Sequence, residues 1–312
     1  MSVFSIGEVL RKHRVELGIS QEDLCTGICS VPTLSRIENG VRVPSKSHFD
    51  ALMQRMGQSG EMYDAYIGTQ DFEIHETKFK IRSAIIACNY ELASELLIKL
   101  KKLNNENDNN DNISKQFIMY IEVILKAKGV YDKYSLKVLE DAIRLTMPSY
   151  GKTKIYERLL TFDEITILNN IGNAYGLIGK TKKSIKTLYE LKKFMDKKYI
   201  NSEEKVRTYP MVLYNLSKWL GLDNRFEECI EICDIGIVIA AESSKMQLLS
   251  KLLYNKAWCM MKMQDLTLQE DCRKLLLQAY YIATATGQNS TALTIKKFGL
   301  ENCLFLKEEY FY

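Results

Sequence analysis

Apolar residues recur with helical spacing along nearly the whole chain, and no stretch alternates as a strand does. Near the start, Ile6, Val9, Leu10, His13 and Leu17 share one helix face, and Gly18 ends it. Ser20 is a suitable N-cap for a second helix over about 21–27. Ser30 caps a third, with Pro32 tolerated in its first turn and Asn39-Gly40 closing it. Ser45 opens a fourth near 46–56, Gly57 ends it, and a fifth short helix is expected over 61–67. From Asp71 onward the periodicity falls into pairs: 71–87 with 89–103, 113–129 with 134–147, and 161–178 with 181–198. The pairs 204–221 with 224–241 and 245–263 with 268–286 follow, and a last helix spans 289–306. The pattern predicts an all-α protein with domains over 1–68 and 71–312.

The pairs advance by about 40–45 residues, the step of a helical-repeat array. NNIGNAYGLIGKTKKSI, Asn169 to Ile185, resembles a tetratricopeptide repeat. Gly172 lets its two helices approach, Ala174 and Tyr175 pack, Gly179 turns, and Ser184 takes the small-residue slot. YNLSKWLGLDNRFEECI repeats the pattern with Asn224, Phe226 and Cys229, and YNKAWCMMKMQDL is a weaker third copy. A right-handed tetratricopeptide-like solenoid is therefore expected. The polar run NNENDNNDN, 104–112, reads as a loop between hairpins.

The short N-terminal helices describe a helix-turn-helix domain. Gln21, Leu24, Ile28, Ser35, Ile37, Glu38, Gly40 and Pro44 give residues 5–68 a close resemblance to the Xre/Cro-repressor type. That resemblance implies that Gln21 bonds a DNA phosphate and that Glu38 pairs internally with Arg14. The recognition helix keeps Leu34 and Ile37 inward. Val31, Pro32 and Thr33 then suit thymine methyls, Ser35 a polar contact, and Arg36 a guanine edge or a phosphate. Arg42 and Lys46 suit phosphates.

Charge changes this picture. The chain carries 43 Lys/Arg against 39 Asp/Glu, a net charge of +4, so it is no polycationic coat for nucleic acid. Within 1–57, Arg11, Lys12, Arg14, Arg36, Arg42, Lys46 and Arg55 barely outnumber Glu8, Glu16, Glu22, Asp23, Glu38 and Asp50. One copy would bind DNA weakly. A homodimer on an operator with two half-sites is expected. The apolar C-terminal sequences Leu275-Leu276-Leu277 and Tyr310-Phe311-Tyr312 add to that expectation.

Other chemistry is sparse. The i, i+4 pairs Cys25/Cys29 and Cys229/Cys233 fit buried helix faces better than the C-x2-C of a zinc ribbon, and His13, His48 and His75 do not join them. No metal, cofactor or catalytic constellation is expected, since no phosphate loop, dinucleotide fingerprint, HExxH or GxSxG occurs. No apolar run spans a membrane, and MSVFSIGEVLRKHR lacks an export-type apolar stretch, so a cytoplasmic location is expected.

Asparagine recurs where first helices face the groove: Asn170, Asn215 and Asn255 lie 45 and 40 residues apart, with Asn169 and Asn173 one turn apart. An amide offers a donor and an acceptor, which suits an extended peptide backbone. It equally suits glue between helices. The recurrence favours the peptide, with Tyr214, Lys218, Tyr254 and Trp258 shaping side-chain pockets.

An Xre-type helix-turn-helix ahead of such repeats resembles the RRNPP family of peptide-sensing regulators of Gram-positive bacteria, most of all its PlcR-type and Rgg-type members. The likeness spans essentially the whole chain, with ICSVPTLSRIENG and YNLSKWLGLDNRFEE its most telling stretches. It implies a quorum-sensing regulator. A short linear signalling peptide sits on the concave repeat face, gripped by asparagines such as Asn169 and Asn215, and alters operator binding by the dimer. The alternative is an Xre-type regulator whose repeats bind a partner protein.

Overall fold

The computed structural model describes residues 6–59, 69–106, 111–197, 200, 202–303 and 306–311. Among them are fifteen α-helices and no strand, only one isolated bridge between Tyr150 and Thr153. The expected helix over 61–67 lies outside the described residues. The chain divides into two compact units, and the division falls inside the repeat array rather than after residue 68. One unit comprises residues 1–178 with 197–204, the other 179–196 with 205–312.

The first unit begins with α1 (Ile6–Glu16), α2 (Gln21–Cys25), α3 (Val31–Glu38) and α4 (Lys46–Arg55). Ser20, Ser30 and Ser45 each accept a hydrogen bond from the backbone N–H three residues on, as their N-cap positions predict. Helix α2 stops earlier than its apolar pattern suggests, because Gly27 takes a φ of +76° to make the turn. Leu10, Leu24, Leu34, Ile37, Leu52 and Met53 meet in a core at 2% exposure or less. Each such side chain contributes roughly 1.5–3 kcal/mol by burial. The backbones of α1 and α3 touch so closely that a Cβ on Gly7 would lie 1.8 Å from the Ile37 carbonyl oxygen.

The same unit continues through α5 (Thr69–Ile86), α6 (Tyr90–Glu106), α7 (Asn112–Ala127), α8 (Lys133–Thr146) and α9 (Phe162–Leu177). The asparagine-rich stretch is only partly a loop: α6 runs through Glu106, and Asp111 caps α7. The helix-turn-helix core extends into the repeats, since Ile113 and Leu159 pack against it. A buried polar hub lies at this junction. Arg55 donates to the carbonyl oxygens of Leu24 at 3.0 Å and Thr26 at 2.5 Å. Its other terminal nitrogen donates to the Thr146 carbonyl at 3.0 Å and to Glu164 Oε1 at 3.2 Å. Glu164 is fully buried and closes a capping box with Thr161 at the start of α9. Only a glycine fits at Gly27, because a Cβ there would lie 2.1 Å from the Thr146 carbonyl oxygen.

The second unit holds α10 (Thr181–Met195), α11 (Ser202–Leu222), α12 (Phe226–Glu242), α13 (Met246–Lys262), α14 (Gln269–Ala285) and α15 (Asn289–Asn302). The small-residue slots are filled as the repeat pattern requires, with Ser184 and Cys229 both at 0% exposure. The chain also covers its own end. Phe311 is buried edge-to-face on Tyr280, whose hydroxyl donates to the Phe311 carbonyl at 2.8 Å, and the Tyr281 hydroxyl donates to the Tyr310 carbonyl. The apolar tail, expected to seek a partner, folds back on α14 instead.

Candidate functional site

Two regions gather the residues singled out in the sequence. In the first, α3 presents Val31, Pro32 and Arg36 to solvent while Leu34 and Ile37 are buried beneath. Thr33 is half-buried and its hydroxyl lies 2.9 Å from that of Ser30; Ser35 is half-buried with the Asn39 amide near it. Arg42 is exposed in the following loop. Its neighbours Val41 and Val43, at 75% and 78% exposure, form an apolar flank that helical periodicity does not reveal, because no helix passes through them.

Glu38 organises the base of this helix. Arg14 grips it bidentately, Nε to Oε1 at 2.6 Å and Nη2 to Oε2 at 2.7 Å, and donates from Nη1 to the Ile19 carbonyl. Gln21, expected at a phosphate, instead directs its amide at Glu38 Oε2, 2.7 Å away. Burial works to raise the Glu38 pKa. The bonds from Arg14 and Gln21 and the Arg14 charge outweigh it, and the carboxyl is held below its ordinary value.

Lys46, expected at a phosphate, is turned inward. Its side chain is buried, and its ammonium pairs with Asp50 at 2.9 Å. Phe49 and Met53 point into the core from the same part of α4, and the aspartate one turn on draws the lysine with them.

The second region is a cavity of about 320 Å³ in the second unit, on the facing sides of α11, α13 and α15. It brings together Tyr214, Lys218, Tyr254, Asn255 and Trp258, five of the expected peptide-contact residues. Trp258 meets Phe226 edge-on, Tyr254 meets Phe298, and the Asn255 amide donates to Ser217 Oγ at 2.9 Å. The Lys218 ammonium lies 4.8 Å from the centre of the Trp219 ring, and burial lowers its pKa. Lys251, Thr291 and Thr294 also line the wall. Lys251 lay in reach of sequence reasoning, one turn before Asn255 on the same helix face. The two threonines did not, because α15 carries no repeat signature.

The remaining asparagines sit apart from this cavity lining. Asn215 is buried at 8% exposure on α11, and Asn169 at 1% on α9. Asn170 is tied into the first unit: it accepts from the Tyr131 hydroxyl at 2.7 Å and donates to the Thr166 carbonyl at 2.8 Å. Asn173 is half-buried. Among the described residues no group of three or more His, Cys, Asp or Glu is placed to hold a metal ion, and no helix is long and apolar enough to cross a membrane.

Comparison with known proteins agrees with this architecture. No curated protein sequence matches the chain. Solved structures share its fold. PlcR of Bacillus thuringiensis, in complex with the peptide PapR7 and DNA, is 20% identical with a TM-score of 0.58, over 93% of this chain and 98% of that one. ComR from S. thermophilus, in complex with DNA and its signalling peptide ComS, is 16% identical with a TM-score of 0.52, over 96% and 100%. Apo ComR from Streptococcus vestibularis is 13% identical with a TM-score of 0.54, over 95% and 97%. A helix-turn-helix family model matches residues 10–61. The model of the RNPP family C-terminal domain matches residues 80–288, and the chain belongs to the RNPP family.

Proposed function

We propose that the chain is a sequence-specific DNA-binding transcriptional regulator of quorum-sensing type, controlled by a short linear peptide held in its repeat domain. The observation that carries this reading is the cavity. Successive first helices, α11 and α13, turn aromatic, amide and cationic side chains into one concavity, in a chain whose α3 shows an exposed recognition face. Two of the relatives of like fold are complexes with both DNA and a peptide, which supports the same pairing of ligands here. The chain acts in the cytoplasm as a homodimer on two half-sites, because one domain of such even charge holds DNA weakly. Val31, Pro32, Thr33, Ser35, Arg36 and Arg42 face the operator. Tyr214, Lys218, Tyr254, Asn255 and Trp258 face the peptide.

Control requires that the peptide bind one shape of the repeats better than another. A coupling of about 1–3 kcal/mol changes operator affinity roughly 5–150-fold. A mobility-shift assay on the DNA upstream of the chain's own gene tests the reading. It is run with and without synthetic peptides from small open reading frames beside the gene. A specific shift that a peptide alters is expected; a specific shift that no such peptide alters, alongside capture of a folded protein by the repeats, would favour a protein partner.

A further inference from the structure

Two neighbouring outer helices of the second unit carry opposite charge at matching positions. Helices α10 and α12 are the second helices of consecutive repeats, and Ser184 and Cys229, both at 0% exposure, fill the same small-residue slot in each. Two residues before that slot stand Lys182 in α10 and Glu227 in α12; two residues after it stand Lys186 and Glu231. All four side chains are exposed, and each helix holds its two like charges one turn apart. The helices lie side by side, since the Tyr189 hydroxyl donates to Glu228 Oε2 at 2.7 Å. Other charges of α12 are already matched within the chain: Glu228 pairs with Arg225 and Asp234 with Lys256. Among the described residues, Lys182, Lys186, Glu227 and Glu231 form no such pair. Ile235 and Val238, at 40% and 56% exposure, add an apolar patch on the same side of α12.

From this juxtaposition we infer that the α10–α12 face is an interface with a second copy of the chain, in which the α10 lysines of each copy meet the α12 glutamates of the other. A basic stripe beside an acidic one is complementary to itself when turned over about a twofold axis that runs along the helices between them. That rotation preserves position along the helix. Lys182 then meets the partner's Glu227, Lys186 meets the partner's Glu231, and each pairing occurs twice. A twofold axis across the helices sets lysine against lysine and is disfavoured. DNA is a poorer occupant, because the glutamates repel phosphate. Exposed ion pairs are individually weak, so they fix partner and orientation while burial of Ile235 and Val238 supplies cohesion. The inference rests on the homodimer reading above and gives that dimer a surface.

The test is sedimentation velocity of the full-length chain over a range of concentrations at low salt. Lys182→Glu with Lys186→Glu is expected to weaken self-association at least tenfold, and Glu227→Lys with Glu231→Lys to do the same. Mixing the two double variants restores a dimer, because every contact between unlike variants is again attractive. A single chain carrying all four reversals also restores it, which separates loss of pairing from loss of fold. A wild-type dimer that neither double variant weakens overturns this surface and leaves the homodimer standing. Weakening that neither the mixture nor the fourfold variant repairs overturns the pairing. A wild-type chain that stays monomeric throughout overturns both the surface and the homodimer.

Discussion

Arg55, at the end of α4, and Glu164, in the first turn of α9, form a buried ion pair across 109 residues of sequence. The pair does more than join two charges. Arg55 also ties the α2 end to the α8 end, and Glu164 caps the helix that carries Asn169 and Asn173. The first turn of α9 is thereby joined to the helix-turn-helix by direct hydrogen bonds. Gln54 adds a second tie, accepting from the Phe162 N–H at 3.0 Å.

Glu164→Ala is expected to destabilise the first unit by about 3–5 kcal/mol, the usual consequence of leaving one buried charge unpaired. The loss includes the capping box. Urea denaturation followed through both secondary structure and DNA binding checks it. The two probes should lose signal together. A helix-turn-helix that unfolds in a separate, unshifted transition would show that the hub does not couple it to the repeats.

Arg14 and Glu38 give a second, pH-dependent prediction. The folded Glu38 pKa lies below the unfolded value, so its stabilisation is present above the unfolded carboxyl pKa of about 4.3. It is lost as pH falls through the lower folded value. Glu38→Ala should cost about 3 kcal/mol at neutral pH, because Arg14 loses a bidentate partner at a mostly buried site. The deficit should shrink below about pH 4. A deficit that stays constant between pH 7 and pH 3, read by thermal melts, would place the stabilisation elsewhere.

Arg36→Ala addresses DNA reading. A good bidentate base contact is worth about 1–3 kcal/mol. Specific operator affinity should fall by that amount while affinity for random DNA changes little, both measured at one salt concentration. Equal losses on the two DNAs would assign Arg36 to a phosphate.

The thiols provide a chemical check on the packing. Cys88 is the exposed one, whereas burial pushes Cys29 and Cys272 each up to about 11. Cys229 rises as well, held by hydrogen bonds with Cys233 and Cys259 and by burial. At pH 7.5 a colorimetric thiol reagent should therefore modify Cys88 first, with the others following only on denaturation. Fast reaction of Cys229 or Cys259 would mean that the cavity wall is far more open than this packing allows.

How much of this was legible in the sequence depended on whether a signal was local. Caps and apolar spacing are local, so Ser20, Ser30 and Ser45 placed the first helices, and the repeat helices lie within a few residues of their expected bounds. Repeat register is also local, and it brought Tyr214, Tyr254 and Trp258 to one wall. Tertiary demands were not legible. Nothing near Lys46 announces that Phe49 and Met53 carry that face inward, and nothing near Arg55 announces a partner 109 residues away. The recurring asparagines show the limit most clearly. Asn170 bonds Tyr131, and Asn255 bonds Ser217, so one sequence period serves inter-helix bonding as well as cavity lining.

The central claim is that a ligand in the α11, α13 and α15 cavity sets the affinity of α3 for DNA. Fluorescence anisotropy of a labelled operator tests it, titrated with protein at a fixed saturating concentration of the cognate peptide. Wild type and Tyr254→Ala with Trp258→Ala are compared. The wild-type operator affinity should change at least fivefold on adding peptide. The variant should match wild type without peptide and show no change with it. A variant that still responds fully to peptide would contradict the claim and move the controlling site elsewhere.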